Sequence, residues 1–530
     1  MKKILKVALA LLMMSVCLSV LACVPYSKAA TPEQIEASIV KGLEWLAAQQ
    51  QADGSWPTDY YVRVGYTGMA VLKFETRAVE LKKDPLDQSY EYYAQVRNGL
   101  DFIFSMAQLV DISVQTHGNP DSNGNGKGVT FNTEGREGET YGTGIASMAI
   151  AASTHPEMVV SVVGSPVDGW TYKDVEQDVM DWLAWGQNEE SNPGDWWRGG
   201  WGYDPNSIGW SDNSNSGYAL LGLVYAESPL PHGFGLTVPQ FVKDELNIWI
   251  DYIQNDINGD DLDGGSGYSG PDGWVNILKT GTLLQEMAFV GDTLATPRVD
   301  EAIKYIERHW NDLNGDPGWK WSLPTVHKQA MYTTMKGFTA FNIKLIDTDA
   351  DGARDDDWFN EFADALLAEQ ALFPEGHWNT DVWAGDYIMP TCWALLILEK
   401  AAPPVAKYDL TVKVVDANTL DPISGAMVTA SGPEYQEGFT GLDGKVKFED
   451  ILAGGYSVGA SKTGYVPASV MVEVSEDTEI TIRLMPEGPP QPVGGYEAPP
   501  NILTLIAPWI FLGFAISVGT IAVARRKTKY

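Results

Sequence analysis

The sequence predicts a multidomain protein: an all-α (α/α)6 toroid, a small all-β sandwich and a single C-terminal transmembrane helix. Three observations predict it. Between residues 31 and 402, amphipathic and wholly apolar helical patterns alternate, separated by corners rich in Gly, Asp and Trp. After Pro403-Pro404 the hydrophobic period changes to two, the signature of strands. From Ile502 to Ala524 runs an uncharged apolar stretch of 23 residues, enough to cross ~30 Å of hydrocarbon at ~1.5 Å per residue.

Taken in order, residues 1–30 read as a secretory signal. A basic start, MKKILK, precedes a short apolar run, with small residues around Ser27-Lys28-Ala29 and cleavage expected after Ala29 or Ala30. Lipidation at Cys23 is the alternative, since Val20-Leu21-Ala22-Cys23 loosely resembles a lipobox. Residues 31–402 hold six helix pairs: 32–51 with 66–82, 92–108 with 139–153, 172–188 with 211–226, 239–255 with 276–290, 297–311 with 328–346, and 356–370 with 386–400. The first member of each pair is amphipathic, as in DEAIKYIERHW, and needs one wet face. The second is apolar nearly all round, as in GTGIASMAIAAS and TCWALLILEK, and must be buried on all sides. An outer ring of the first kind around an inner ring of the second satisfies both, with the inner helix N-termini opening at one mouth.

The clearest corner is KGLEWLAAQQQADGSW, residues 41–56, where a helix ends in Gln, a Gly turn and a Trp. Weaker versions recur in GDWWRGGWGYDP, DGGSGYSGPDGW, DPGWKW and PEGHW, and their Trp side chains are expected to plug gaps between outer helices. Lys41-Gly42, Trp45-Leu46, Gln49 to Gln51 and Gly54-Ser55-Trp56 resemble the QW motif of the triterpene cyclases and the prenyltransferase/squalene-oxidase repeat. Trp182-Leu183, Gln187 and Gly200-Trp201, then Leu366-Leu367, Gln370 and Gly376-His377-Trp378, match it more loosely, and the resemblance covers residues 33–402. It implies the toroid fold. It does not imply one chemistry, because that fold hosts cyclases, prenyltransferases and proteins without a reaction.

Residues 403–486 carry the alternation Leu410, Val412, Val414 and later Ile480, Ile482, Leu484, with Gly/Asp turns between. The cues Gly425-Ala426-Met427-Val428, Thr440-Gly441-Leu442-Asp443-Gly444, Gly455-Tyr456 and Gly464-Tyr465 resemble the carboxypeptidase regulatory-like domain, a transthyretin-like or Ig-like sandwich. Residues 487–501 are a Pro/Gly linker that would hold the sandwich off a membrane. The span 502–524 is followed by a basic tail, 525–530, whose Arg525, Arg526, Lys527 and Lys529 mark the cytoplasmic side. The expected location is therefore a cell membrane, single-pass, with the bulk of the chain outside the cytoplasm.

The formal charge is −34, from 36 Lys+Arg against 70 Asp+Glu. Such a chain repels phosphate backbones, so nucleic acid is excluded as a partner. Of three cysteines, Cys17 and Cys23 lie in the leader, which leaves Cys392 in an apolar run as a buried, inert thiol. No P-loop, HExxH, GxSxG or Cys-x-x-Cys occurs, and no nucleotide or redox cofactor is expected.

The sequence offers four kinds of candidate site. The cyclase resemblance implies an Asp-x-Asp-Asp acid at the start of an inner helix; here the run is Ser211-Asp212-Asn213-Ser214, with Asp212 the one carboxylate and a helix cap the competing role. The prenyltransferase resemblance implies zinc on Asp, Cys and His, and the spacing of Cys392, His327 and His377 fits no such set. Asp347, Asp349, Asp351 and Asp355, with Gly352 at the sharp turn, have the oxygen spacing of a calcium loop and resemble EF-hand and thrombospondin type 3 loops. Trp358 stands where an EF-hand has its bidentate Glu. Asp256, Asn258, Asp260 and Asp263 form a poorer second calcium candidate. Finally, the toroid mouth should gather Tyr66, Tyr141, Trp210, Asn213, Asn276, Lys279, Lys328, Tyr332 and Tyr387, a mixture of aromatic and polar groups suited to a glycan, peptide or lipid. The expectation is a ligand-binding surface head. The alternative is a toroid enzyme, either terpenoid cyclase- or prenyltransferase-like, or a polysaccharide-processing lyase or hydrolase.

Overall fold

The computed structural model describes residues 29–486 except 58–61, 132–138, 190–195, 206–208, 258, 314–315, 322–324, 382–384, 401–406, 433–434, 453 and 475–476. The predicted leader, linker, span 502–524 and basic tail lie outside the described residues. No helix among the described residues is long and apolar enough to cross a membrane.

Among the described residues, twelve helices build the first domain: α1 Pro32–Ala48, α2 Arg63–Glu80, α3 Tyr93–Ser105, α4 Glu139–Ala152, α5 Tyr172–Gly186, α6 Asn213–Glu227, α7 Gln240–Ile253, α8 Ile277–Phe289, α9 Pro297–His309, α10 Lys328–Ala340, α11 Trp358–Gln370 and α12 Ile388–Leu398. Each expected pair is present. The even-numbered helices touch in succession, α2 to α4, α6, α8, α10, α12 and back to α2, so the inner ring closes on itself. Their burial follows from composition: every residue of α12 is buried, as are all but two of α4. Small residues let the inner helices approach, and a Cβ on Gly144 would lie 2.2 Å from the Tyr218 carbonyl oxygen. Outer helices bury one face, as α9 does with Val299, Ala302, Ile303 and Ile306. Capping boxes start α1 (Thr31 with Gln34) and α5 (Thr171 with Asp174), satisfying amides that have no partner within the helix.

The corners share one construction. Gln50 donates through Nε2 to the Gly54 carbonyl (2.9 Å) and to the Gln95 carbonyl on α3 (2.9 Å). Gln187 reaches Gly199 (2.8 Å) and Val242 on α7 (3.0 Å); Gln254 reaches Gly264 (3.0 Å) and Arg298 on α9 (2.9 Å); Gln370 reaches Gly376 (2.7 Å) and Ser38 on α1 (3.0 Å). Each amide thus ties the end of one outer helix to the next outer helix. Two residues beyond the glycine stand Trp56, Trp201, Ser266 and Trp378, whose amides donate to hydroxyls on inner helices: Thr67, Ser216, Thr280 and Thr391. The three indoles donate back at 2.8 Å to Leu46, Leu183 and Leu366. The expectation of a Trp plug at each corner is corrected at 266, where serine takes the place and Trp274 lies elsewhere.

Two local expectations also change. The helix expected over 92–108 ends at Ser105, and a hairpin of β1 (Ala107–Asp111) and β2 (Lys127–Phe131) fills the second corner. The helix expected over 328–346 ends at Ala340; Asn342 turns the chain with φ of 53°, and β3 (Leu345–Ile346) pairs with β4 (Asp356–Asp357) across the acidic loop.

The second domain is a sandwich of two four-stranded sheets. One has the order β10 (Tyr465–Val466), β12 (Thr478–Pro486), β5 (Lys407–Asp416), β8 (Lys445–Leu452); the other has β11 (Ala468–Val474), β9 (Gly454–Ser461), β6 (Met427–Ser431), β7 (Tyr435–Phe439). β5 and β12 run parallel, and the other pairings are antiparallel. The alternation read from sequence is the core: Leu410, Val412, Val414, Ile482 and Leu484 are buried together with Tyr456 and Val458.

Candidate functional site

A cavity of about 400 Å³ opens where the first turns of all six inner helices converge. Tyr66 of α2, Tyr141 of α4, Ser214 and Tyr218 of α6, Lys279 of α8, Gln329 of α10, and Met389 and Trp393 of α12 line it. The connecting segments add Tyr203, Tyr268, Trp274, Asn276, Asp316, Trp321 and His327. The volume falls in the range of small-ligand sites, about 300–1,000 Å³. Its wall is rich in tyrosine and tryptophan, interrupted by a few polar groups.

Asn276 caps α8, accepting from the Lys279 amide at 3.1 Å, and its Nδ2 donates to Asp316 Oδ1 at 2.9 Å. The Trp274 indole donates to the other Asp316 oxygen. Tyr203 and Tyr268 meet hydroxyl to hydroxyl at 3.1 Å. His327 Nδ1 lies 3.1 Å from Asp381 Oδ1, both buried, and Trp321 packs edge-on against its ring. The Lys279 ammonium sits 4.0 Å from the Trp274 ring centroid and 5.8 Å from that of Tyr268. Burial lowers its pKa to about 7, with Asp316 opposing.

Of the residues expected at the mouth, Tyr66, Tyr141, Asn276 and Lys279 line this cavity. The others serve the frame. Asn213 is buried and donates to Ser266 Oγ at 2.8 Å. Trp210 is exposed and its indole donates to Asp212 at 3.2 Å. Lys328 is buried against Glu369 (3.1 Å) and the Val326 carbonyl (2.9 Å). Tyr332 is buried beneath Lys336, and Tyr387 packs on His377 with centroids 4.3 Å apart. Asp212 is the N-cap of α6. Its Oδ1 accepts from the amides of Ser214 and Asn215 and from Ser214 Oγ, and its Oδ2 from Asn215 Nδ2 and Trp210. Both oxygens are spent on five donors, and Asp212 is not on the cavity wall.

Sequence reasoning missed Tyr203, Ser214, Tyr218, Tyr268, Trp274, Asp316, Trp321, His327, Gln329, Met389 and Trp393. Trp274 carried the one usable signal: it stands eight residues after the corner position at Ser266, too far to be a plug. Cys392 is buried, and burial pushes its thiol pKa up, as suits an inert packing role.

Carboxylate oxygens of Asp347, Asp349 and Asp351 lie within 4.8 Å of one another. Gly352 turns the loop with φ of 88°, its amide donates to Asp347 Oδ2 at 2.9 Å, and Asp347 Oδ1 is buried without a hydrogen-bond partner. Asp355 is not in this group. At the second acidic run Asn258 lies outside the described residues. There the Asp263 carboxylate accepts from the Gly259 amide and that of Asp260 from the Leu262 amide, and Asp256, Asp260 and Asp263 form no such group among the described residues.

Residues 409–485 match the carboxypeptidase regulatory-like domain. No curated protein matches the chain. Among solved structures, the Bacillus anthracis TIE protein is similar over 16% of this chain and 18% of its own, at 17% identity and TM-score 0.15. The group B streptococcus pilus 2b backbone protein is similar over 16% of this chain and 42% of its own, also at 17% identity and TM-score 0.15. The GH76A alpha-1,6-mannanase from Salegentibacter sp. HEL1_6 is similar over 69% of this chain and 98% of its own, at 13% identity and TM-score 0.42. The chain thus spans less than half the length of the first two.

Proposed function

We propose that the helical ring is a glycan-binding head, carried outside the cell on the sandwich and linker and anchored by the span 502–524. The observation that carries this reading is the cavity wall. Tyrosine and tryptophan faces suit the C–H faces of a sugar ring, and Asn276, Gln329 and Lys279 supply polar edges for hydroxyls. Titrating the full-length chain with oligosaccharides while following tryptophan fluorescence tests it; Trp274→Ala should weaken binding at least tenfold, and an unchanged affinity would count against the site. Protease shaving of intact cells tests the outward topology, since the ring should be released.

Kinship with the terpenoid-cyclase-like toroids is supported by the Gln–Gly–Trp corners. The acid chemistry of those enzymes has no residue here, because Asp212 is consumed as a cap. Glycan cleavage is the second reading, favoured by Asp316 and Lys279 on one wall; unlike Asp212, Asp316 lines the cavity, and each of its oxygens accepts from one donor. Release of reducing ends from a bound oligosaccharide, abolished in Asp316→Asn, would promote it above binding alone. In the same proposal, calcium held by Asp347, Asp349 and Asp351 stiffens the loop between α10 and α11.

A further inference from the structure

Four lysines are buried in the ring: Lys73, Lys279, Lys328 and Lys336. Three have partners. Lys73 pairs with Glu399, Lys328 with Glu369, and Lys336 donates to the Tyr225 hydroxyl at 2.9 Å. Lys279 is 3% exposed, and among the described residues no carboxylate lies within ion-pairing distance of its Nζ and no oxygen accepts from it. It is also the one of the four on the cavity wall. Asp316, the acid that influences it, has both oxygens taken by Asn276 and Trp274.

A buried ammonium without an ion-paired carboxylate is costly, and it escapes that cost either by losing its proton, the direction in which burial moves Lys279, or by pairing with an arriving anion. The six inner helix N-termini around the cavity carry partial positive charge and favour the same sign of ligand. The wall carries one ammonium, no arginine and one carboxylate, Asp316, already held by Asn276 and Trp274, so a single negative charge is the most that Lys279 can match. A phosphate monoester carries nearly two.

We propose that the ligand is an acidic sugar, a pyranose bearing a carboxylate, bound with that carboxylate on Lys279 Nζ and its ring against Trp274 and the wall tyrosines. This rests on the reading of the cavity as a glycan site. The titratable groups facing Lys279 are Asp316, His327 with its Asp381, and the five wall tyrosines, Tyr66, Tyr141, Tyr203, Tyr218 and Tyr268. In the free site Lys279 titrates near 7. Pairing with a carboxylate raises that value, so binding takes up a proton above neutrality, and affinity falls as pH rises from 6 to 8.5.

The test is calorimetric titration of the full-length chain in mild detergent with glucuronate, galacturonate and mannuronate oligosaccharides, each beside its methyl ester. The expected result is that one acid binds at pH 6 at least tenfold more tightly than its ester. Proton uptake at pH 8, read from buffers of different ionisation enthalpy, should accompany it. Lys279→Gln should erase the preference for acid over ester, and Lys279→Arg should keep it without the pH dependence. Near-UV circular dichroism checks that both variants fold, and the wild-type acid–ester and pH comparisons stand without them. Equal binding of acid and ester, or a preference that survives Lys279→Gln, overturns the proposal and leaves the glycan site standing. If no sugar binds but phenylacetate quenches tryptophan fluorescence in a Lys279-dependent way, the glycan reading falls and the anion seat remains. Silence from every probe overturns both.

Discussion

Replacing Gly199 with alanine should open the corner that joins α5 to α7. Gly199 has φ of 81°, and a Cβ there would lie 1.9 Å from the Glu245 carbonyl oxygen. That oxygen is backbone, so no rotamer change relieves the clash. The left-handed conformation costs a non-glycine residue about 1–2 kcal/mol. Moving the corner outward also breaks the two Gln187 bonds, to Gly199 at 2.8 Å and Val242 at 3.0 Å, each worth about 0.5–1.5 kcal/mol net. The neighbouring Arg198–Glu245 pair, with contacts of 2.6 and 2.9 Å, shifts as well. The expected destabilisation is about 2–5 kcal/mol. For a ring of about 370 residues, at ~2 cal/mol/K of unfolding entropy per residue, this lowers Tm by roughly 3–6 °C. Gly164 is the control: its φ is 90°, with no atom within 4 Å of an added Cβ. Gly164→Ala should cost only the conformational part, about 1–2 kcal/mol. Scanning calorimetry of both variants decides the matter. If Gly199→Ala is no more destabilising than Gly164→Ala, the corner is not held as described.

Other outcomes follow from the buried charges and the acidic loop. Lys328→Met should cost about 3–5 kcal/mol by stranding Glu369, and adding Glu369→Leu should restore most of it; a double variant as unstable as the single would refute the pairing. Burial raises the Glu286 pKa to about 8 from 4.5, with Trp249 opposing. The folded form therefore holds its proton more tightly. Its contribution is full below pH 4.5 and lost as pH climbs through 8, so Glu286→Gln should stabilise the protein in denaturant melts at pH 9 and change little at pH 4.5. Millimolar calcium should raise Tm in the wild type but not in Asp349→Ala, and equal responses would remove the loop from consideration.

How far the sequence could be read depended on how local each feature is. Helix type was legible because α9 or α12 shows its burial in its own residue spacing. Asp212 was legible as a cap because capping involves residues two and three positions away. The corner was legible as Gln–Gly–Trp where all three residues are present. At Gln254–Gly264–Ser266 the hydrogen bonds persist without the indole, and the pattern misled: Trp274 looked like the plug and is a cavity wall. Lys328 and Lys279 look alike in sequence, since both stand in the first turn of an inner helix. Glu369, 41 residues from Lys328, neutralises one of them, and among the described residues no carboxylate pairs with the other.

By itself the sequence determined the helix order, the two kinds of helix and the sandwich, because periodicity, caps and apolar runs are short-range. Tertiary structure alone decided which side chains share the mouth. Six helix N-termini drawn from more than 300 residues of chain meet there only after the ring closes. Lys279 is left facing the cavity without an ion-pair partner among the described residues, because closure brings it aromatic faces and an already occupied carboxylate.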